Sequence, residues 1–188
     1  KLNSLVNRKD PPSDLWTKCG CGERMLYVSD LKENLHVCSY CDQDMYIDFE
    51  SRFKQLFDDE KFELIEIPIE NNDPLKFKDL KKYTDRLKDA QQKTKQKDAA
   101  HVATGQIGGT TICIFLLDFK FMGGSMGQYV GEAFKIGCQK AVELNCPFIS
   151  IASSGGARMQ EGLVSLMQLP KTVAACNLLD QRKIPFIS

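Results

Sequence analysis

Beyond residue 105 the chain alternates unbroken apolar runs with segments of helical spacing. Residues 109–119, "GTTICIFLLDF", form a β-branched, nearly continuous apolar run, which predicts a strand buried on both faces. Residues 128–145, "QYVGEAFKIGCQKAVELN", place Val130, Ala133, Phe134, Gly137, Ala141 and Leu144 at helical spacing, with Asn145 and Pro147 as stop signals. Residues 147–152, "PFISIA", predict a second buried strand, residues 159–181 a second helical stretch, and residues 184–188, "IPFIS", a third strand. Strand, helix, strand, helix, strand is the order of a parallel sheet with right-handed crossovers. Pro170 interrupts the second helical stretch and should kink it or split it in two. A series that stops on a strand reads as a C-terminally incomplete piece of a longer chain.

Upstream the pattern is weaker. Residues 53–66, "FKQLFDDEKFELIE", suggest a short helix followed by a strand, and residues 73–99 a polar, mostly helical connection. Residues 1–14 read as a polar, poorly ordered lead-in, residues 15–49 as a separate cysteine module, and residues 50–188 as an α/β domain.

Composition narrows the possibilities. Lys+Arg and Asp+Glu each total 25 in 188 residues, so no global charge points to nucleic acid or a membrane surface. Residues 76–97 nevertheless hold nine basic and three acidic residues, a solvated helix face or an anion-binding patch. No apolar segment reaches the roughly 18 residues of a membrane span, and no signal-peptide pattern precedes Pro11, so the chain is expected to be intracellular.

Four of the eight cysteines crowd one short region: Cys19 and Cys21 one residue apart, then sixteen intervening residues, then Cys38 and Cys41 two apart. Paired cysteines at that separation are a zinc signature, with four thiolates closing a tetrahedron. The first pair is one residue short, so His36 is an alternative ligand. A module held without metal by Trp16, Leu26, Tyr27 and Leu35 is the competing reading. Few residues surround these ligands, so metal binding would supply folding energy. Cys113, Cys138, Cys146 and Cys176 sit singly in apolar or helical contexts, as buried inert thiols do.

Two glycine-rich turns, "MGGSMG" (122–127) and "SGGARMQEG" (154–162), each follow a predicted strand and open a predicted helix. That edge of an open parallel sheet is where ligands bind, and glycine lets a ligand approach backbone N–H groups. Neither turn matches the dinucleotide-binding fingerprint or the P-loop.

"LWTKCGCGERMLY", "LKENLHVCSYC", "DPLKFKDLKKYTDRLKDAQ", "FKFMGGSMGQYVGEAF" and "SGGARMQEGLVSLMQLPKT", in this order and spacing, resemble the carboxyltransferase beta subunits of bacterial-type, multi-subunit acetyl-CoA carboxylases. The resemblance implies an α/β, crotonase-like fold of stacked ββα units after a small four-cysteine zinc ribbon. It implies transfer of CO₂ from carboxybiotin, borne on a separate carrier protein, to acetyl-CoA, giving malonyl-CoA for fatty-acid synthesis. The implied partners are a carboxyltransferase alpha subunit in an α₂β₂ assembly, the biotin carboxyl carrier protein and biotin carboxylase, in a bacterial cytoplasm or plastid stroma. The family's first cysteine pair is Cys-x-x-Cys; here Gly22 stands at the second ligand's place and Cys21 one position early.

This chemistry places negative charge on a thioester oxygen, which calls for preorganised N–H donors. The backbone amides of Gly155, Gly156 and Ala157 are the candidates for that role. Gly123, Gly124 and Ser125 are candidates for lining the CoA channel. Arg158 is a candidate partner of a CoA phosphate, or else forms a salt bridge to Glu161 or to the partner subunit. Zinc would be held by Cys19, Cys21, Cys38 and Cys41. A nucleic-acid-binding zinc ribbon on an inactive body is the alternative from another class. Lys18, Arg24 and Lys32, offset by Glu23, Asp30 and Glu33, speak against strong DNA affinity.

Overall fold

The computed structural model describes residues 15–22, 24–68, 73 and 75–188; the predicted lead-in, residues 1–14, lies outside them. The chain divides into two units, Lys1–Ile47 and Asp48–Ser188.

In the first unit β1 (Trp16–Lys18) pairs antiparallel with β2 (Met25–Tyr27), and α1 (Val28–Glu33) follows directly. Its core is small: Leu26, Leu31, Cys19 and Cys38 are buried, with Met45 packed against them. So few apolar side chains give little hydrophobic stabilisation.

The second unit is built on one five-stranded sheet in the order β3-β4-β5-β6-β7: β3 (Phe62–Leu64), β4 (Ala100–Ile107), β5 (Thr110–Leu117), β6 (Phe148–Ile151) and β7 (Phe186–Ile187). The β5-β6-β7 part is parallel, as the strand-helix alternation predicts. The β3-β4-β5 part is antiparallel, so the sheet is mixed rather than parallel throughout. The reason is local. Ile107 pairs with Thr110 around Gly108 and Gly109, whose φ values of +58° and +75° are those of a two-residue hairpin turn. The Asp58 carboxylate accepts both glycine N–H groups, at 3.0 and 2.8 Å.

Strand β5 shows why its sequence is apolar throughout. Cys113, Phe115 and Leu117 join the cluster on one face, while Ile112, Ile114 and Leu116 join the cluster on the other. The first face is covered by α4 (Gln128–Leu144), which packs on β4, β5 and α6 (Gln168–Gln181). The second face carries α2 (Phe49–Leu56), whose Phe53 is completely buried. The predicted helix over residues 128–145 ends as expected, with Asn145 in the left-handed region at φ +49°. The predicted split at Pro170 is present: α5 (Leu163–Leu166) stops before Met167, and Pro170 falls in the first turn of α6, where its missing N–H has no intrahelical carbonyl to meet. The polar connection contributes α3 (Tyr83–Thr94), which buries only Tyr83 and Leu87. Among the described residues no helix is long and apolar enough to cross a membrane.

Strand β4 brings His101 against the ring of Phe49, stacked at 3.7 Å with the planes 3° apart. Burial pushes the imidazole pKa down to about 4, against the opposing pull of the Asp118 and Asp98 carboxylates. Protonation therefore favours the unfolded chain, where the pKa is near the ordinary 6.5. The stability owed to neutral His101 should be complete above pH 6.5 and drain away as pH falls towards 4. Denaturant titrations at pH 7.5 and 4.5 should show a larger loss for the native sequence than for His101→Gln; equal losses would exclude this contribution.

Candidate functional site

The two glycine-rich turns meet. Residues 122–124 form a tight turn after β5, with Met122, Gly123 and Gly124 all in the left-handed region at φ +47°, +66° and +63°. The Gly155 N–H donates to the Gly123 carbonyl at 2.9 Å, and Met126 and Ala157 form a parallel bridge. In that bridge the Met126 N–H donates to Gly156 O at 2.8 Å, and the Arg158 N–H donates to Met126 O at 2.9 Å. A parallel bridge uses the groups on either side of Ala157, so the N–H and C=O of Ala157 itself face away from Met126. Gly124 is buried against the second turn, and a Cβ there would lie 2.1 Å from the Ser153 carbonyl oxygen.

These bonds sort the predicted residues. The Gly155 N–H is engaged by Gly123, and the Gly156 N–H donates to Ser154 Oγ at 3.1 Å. Among the described residues none accepts from the Ala157 N–H. Ala157 and Ser125 both line an open pocket of about 570 Å³, together with Met122 and Met159. Gly123 and Gly124 instead form the seam between the turns. Lys81, Arg86 and Lys93 on or beside α3, with Lys120, supply a basic wall of the same pocket. Within that wall Arg86 pairs with both oxygens of Asp79 at 2.6 and 2.7 Å, and Lys81 pairs with Asp89. Neither histidine lines the pocket.

Arg158, a candidate for a CoA phosphate or for an internal salt bridge, makes an internal salt bridge, chiefly to a carboxylate other than Glu161. Its side chain is completely buried, with Nη1 and Nη2 donating to Asp98 Oδ2 and Oδ1 at 2.6 and 2.7 Å. Nη2 also donates to the Ser125 carbonyl at 2.8 Å, Nε to Ser125 Oγ at 3.1 Å, and Nη1 to Tyr83 Oη at 3.2 Å. Glu161, the partner foreseen for it, is a longer contact at 3.5 Å. Burial works against the charged guanidinium, but the hydrogen bonds and charge of Asp98 more than reverse this and raise its pKa. Glu161 has a second role: its Oε2 accepts the Gln128 N–H at 2.6 Å, occupying the first amide of α4, while Oε1 accepts from Tyr83 Oη at 2.7 Å. Burial pushes the Tyr83 pKa upward, so its hydroxyl keeps the proton that it donates.

Sequence reasoning missed Asp98 and Tyr83. The available signal for Asp98 was a lone acid between a lysine-rich run and the apolar entry to β4.

In the first unit Cys19, Cys38 and Cys41 bring their sulfurs within 4.8 Å of one another, with Cys19 and Cys41 at 3.5 Å. A tetrahedral zinc with arms of about 2.3 Å has sulfur–sulfur edges of about 3.8 Å, so this trio fits the ion. Cys21 is exposed and stands outside the trio, though its thiol interacts with those of Cys19 and Cys41. His36 stands outside this cluster, and its Nδ1 donates to the Tyr46 carbonyl oxygen at 3.1 Å. The Tyr40 backbone N–H favours the Cys38 thiolate and lowers its pKa.

The carboxyl transferase domain family matches residues 66–188. The acetyl-coenzyme A carboxylase carboxyl transferase subunit beta of Jannaschia sp. (strain CCS1) is 45% identical over 188 residues, covering 100% of this chain and 59% of that relative. The subunit of the same description from Dinoroseobacter shibae (strain DSM 16493 / NCIMB 14021 / DFL 12) is 46% identical over 187 residues, covering 99% of this chain and 58% of that relative. The crystal structure of transcarboxylase 12S with hydrolysed methylmalonyl-coenzyme A bound superposes with a TM-score of 0.55 at 25% identity, over 69% of this chain and 23% of that one.

The seam between the turns leaves no room for a side chain at Gly124. Gly124→Ala should cost at least about 1–3 kcal/mol from backbone strain alone, read as a lower denaturation midpoint. An unchanged midpoint would mean that the turns do not approach as closely as described.

Proposed function

The chain belongs to the carboxyl transferase domain family, and on that premise we propose that it is part of a beta-type carboxyltransferase subunit that carries CO₂ from carboxybiotin to acetyl-CoA. The observation that carries the reading is the pocket, where an unengaged corner amide and a basic helical wall share one cavity. Coenzyme A is a long arm with phosphates at one end and a reactive thioester at the other, and it needs both features.

Removing a proton from the acetyl methyl group shifts negative charge to the thioester oxygen. The Ala157 N–H is the donor for that oxygen, a contribution of roughly 3 kcal/mol when such a group is preorganised away from water. Gly155 and Gly156 hold this corner in shape through their own hydrogen bonds. Lys81, Lys93 and Lys120 meet the coenzyme's phosphates, with Ser125 beside the arm. Biotin, borne on a separate carrier, supplies the carboxyl group and the base that its departure creates, so no histidine is required in the pocket.

The assembly proposed with this reading joins the chain to an alpha subunit in an α₂β₂ arrangement, with biotin carboxyl carrier protein and biotin carboxylase, in a bacterial cytoplasm or plastid stroma. The first unit is a zinc ribbon in which Cys21 joins Cys19, Cys38 and Cys41 as the fourth thiolate. The ion would brace a unit whose own core is small.

The full-length subunit, mixed with its alpha partner and carboxybiotin, should convert acetyl-CoA to malonyl-CoA. Lys93→Ala should raise KM for acetyl-CoA roughly tenfold, the loss of one charge-assisted contact, with kcat nearly unchanged. Absence of malonyl-CoA from the intact assembly would reject the reaction, and an unaltered KM would remove α3 from coenzyme binding. Elemental analysis should find about one zinc per chain, and Cys38→Ser should lose both the metal and the protease resistance of residues 15–47. A metal-free native protein would reject the ribbon.

A further inference from the structure

Arg158 ties three separate segments of the second unit together beside the pocket. Its guanidinium reaches the first corner through Ser125, the entry to β4 through Asp98 and the start of α3 through Tyr83. Its own backbone N–H helps close the bridge that holds Ala157. Tyr83 completes the circuit by donating to Glu161, which in turn caps α4. Arg158, Tyr83 and Asp98 are completely buried. Helix α3 is otherwise polar and buries only Tyr83 and Leu87, and no side chain caps its first amides. Among the described residues its hydrogen-bonded attachment to the corners therefore runs through one phenolic hydroxyl.

We infer that Tyr83, Asp98 and Arg158 are positioning residues, which fix the distance between the basic wall that holds the coenzyme's phosphates and the corner amide that receives its thioester oxygen. This rests on the carboxyltransferase reading above. A phosphate contact and an oxyanion contact are made to two ends of one ligand, so the spacing between them decides whether the reacting carbon is presented correctly. Misplacement by about 1 Å can lower a rate about 100-fold while binding persists. The network sets that spacing without touching the ligand: Arg158 and Asp98 have no exposed surface in the pocket.

Tyr83→Phe is the informative change, because it keeps the buried ring and removes only the hydroxyl. In the assembled enzyme it should lower kcat about tenfold and alter KM for acetyl-CoA by less than about twofold. In the same full-length subunit, hydrogen–deuterium exchange should rise across residues 153–158 and stay unchanged in β5. Arg158→Lys, which keeps the charge but loses the paired contact with Asp98, should follow the same pattern where it folds. A folded Tyr83→Phe with unchanged kcat, or with lowered kcat and unchanged exchange at 153–158, would overturn the inference. Faster exchange at 153–158 in Tyr83→Phe than in the native subunit, when the native assembly itself makes no malonyl-CoA, would locate the fault in the carboxyltransferase reading and leave the mechanical link standing.

Discussion

A guanidinium cut off from water must find its compensation inside the protein, and the second unit is organised around that requirement. Removing one partner of a buried ion pair typically costs about 3–5 kcal/mol, because the other charge is left stranded. Arg158 meets the requirement with both oxygens of Asp98, 60 residues away in sequence, and with groups from two further segments. Each partner is drawn to one point, and that point lies directly behind the corner that carries Ala157. Neutralising the charge and shaping the pocket are therefore served by the same contacts.

The glycine corners act differently from a ligand-cradling loop in which every amide is open. Most of their N–H groups are spent on joining one corner to the other, or on local turns. Among the described residues the Ala157 N–H is one of those left over, at the edge of a pocket with basic residues on one side. The amides at the start of α4 are also partly committed, because Glu161 accepts the first of them. Polarity at the site is concentrated at a few places rather than spread along two helix ends.

The parts legible in the sequence were those whose information is local. Strand β5 buries both faces and reads as a continuous apolar run; α4 repeats at helical spacing and stops at Asn145; Pro170 splits the last helical stretch. Strand β4 was not legible, because Ala100, Ala103 and Gly105 carry little apolar signal and owe their burial to neighbours. Gly105 lies under the ring of Phe57, where a Cβ would come within 2.5 Å. The Gly108-Gly109 pair was a usable hairpin signal, and it would have predicted the antiparallel half of the sheet. The corners themselves were legible as glycine-rich turns, but their mutual hydrogen bonds were not. The fate of Arg158 was hidden for the same reason: a buried and an exposed arginine look alike until the distant carboxylate is placed. The cysteine spacing pointed to a cluster of thiols that could hold a metal, yet which sulfurs converge depends on turn geometry that spacing alone does not contain.

The hairpin between β4 and β5 joins its strands through two residues, whereas the Arg158–Asp98 contact closes a loop of 60. Closing a longer loop loses more chain entropy, and contacts between distant residues slow the search for the native state. The order of assembly follows: the hairpin zips early on its glycine pivot, and the corners join only after β6 has been laid beside β5. The pocket is thus among the last features to mature, and a nascent chain carries a formed sheet before it carries joined corners.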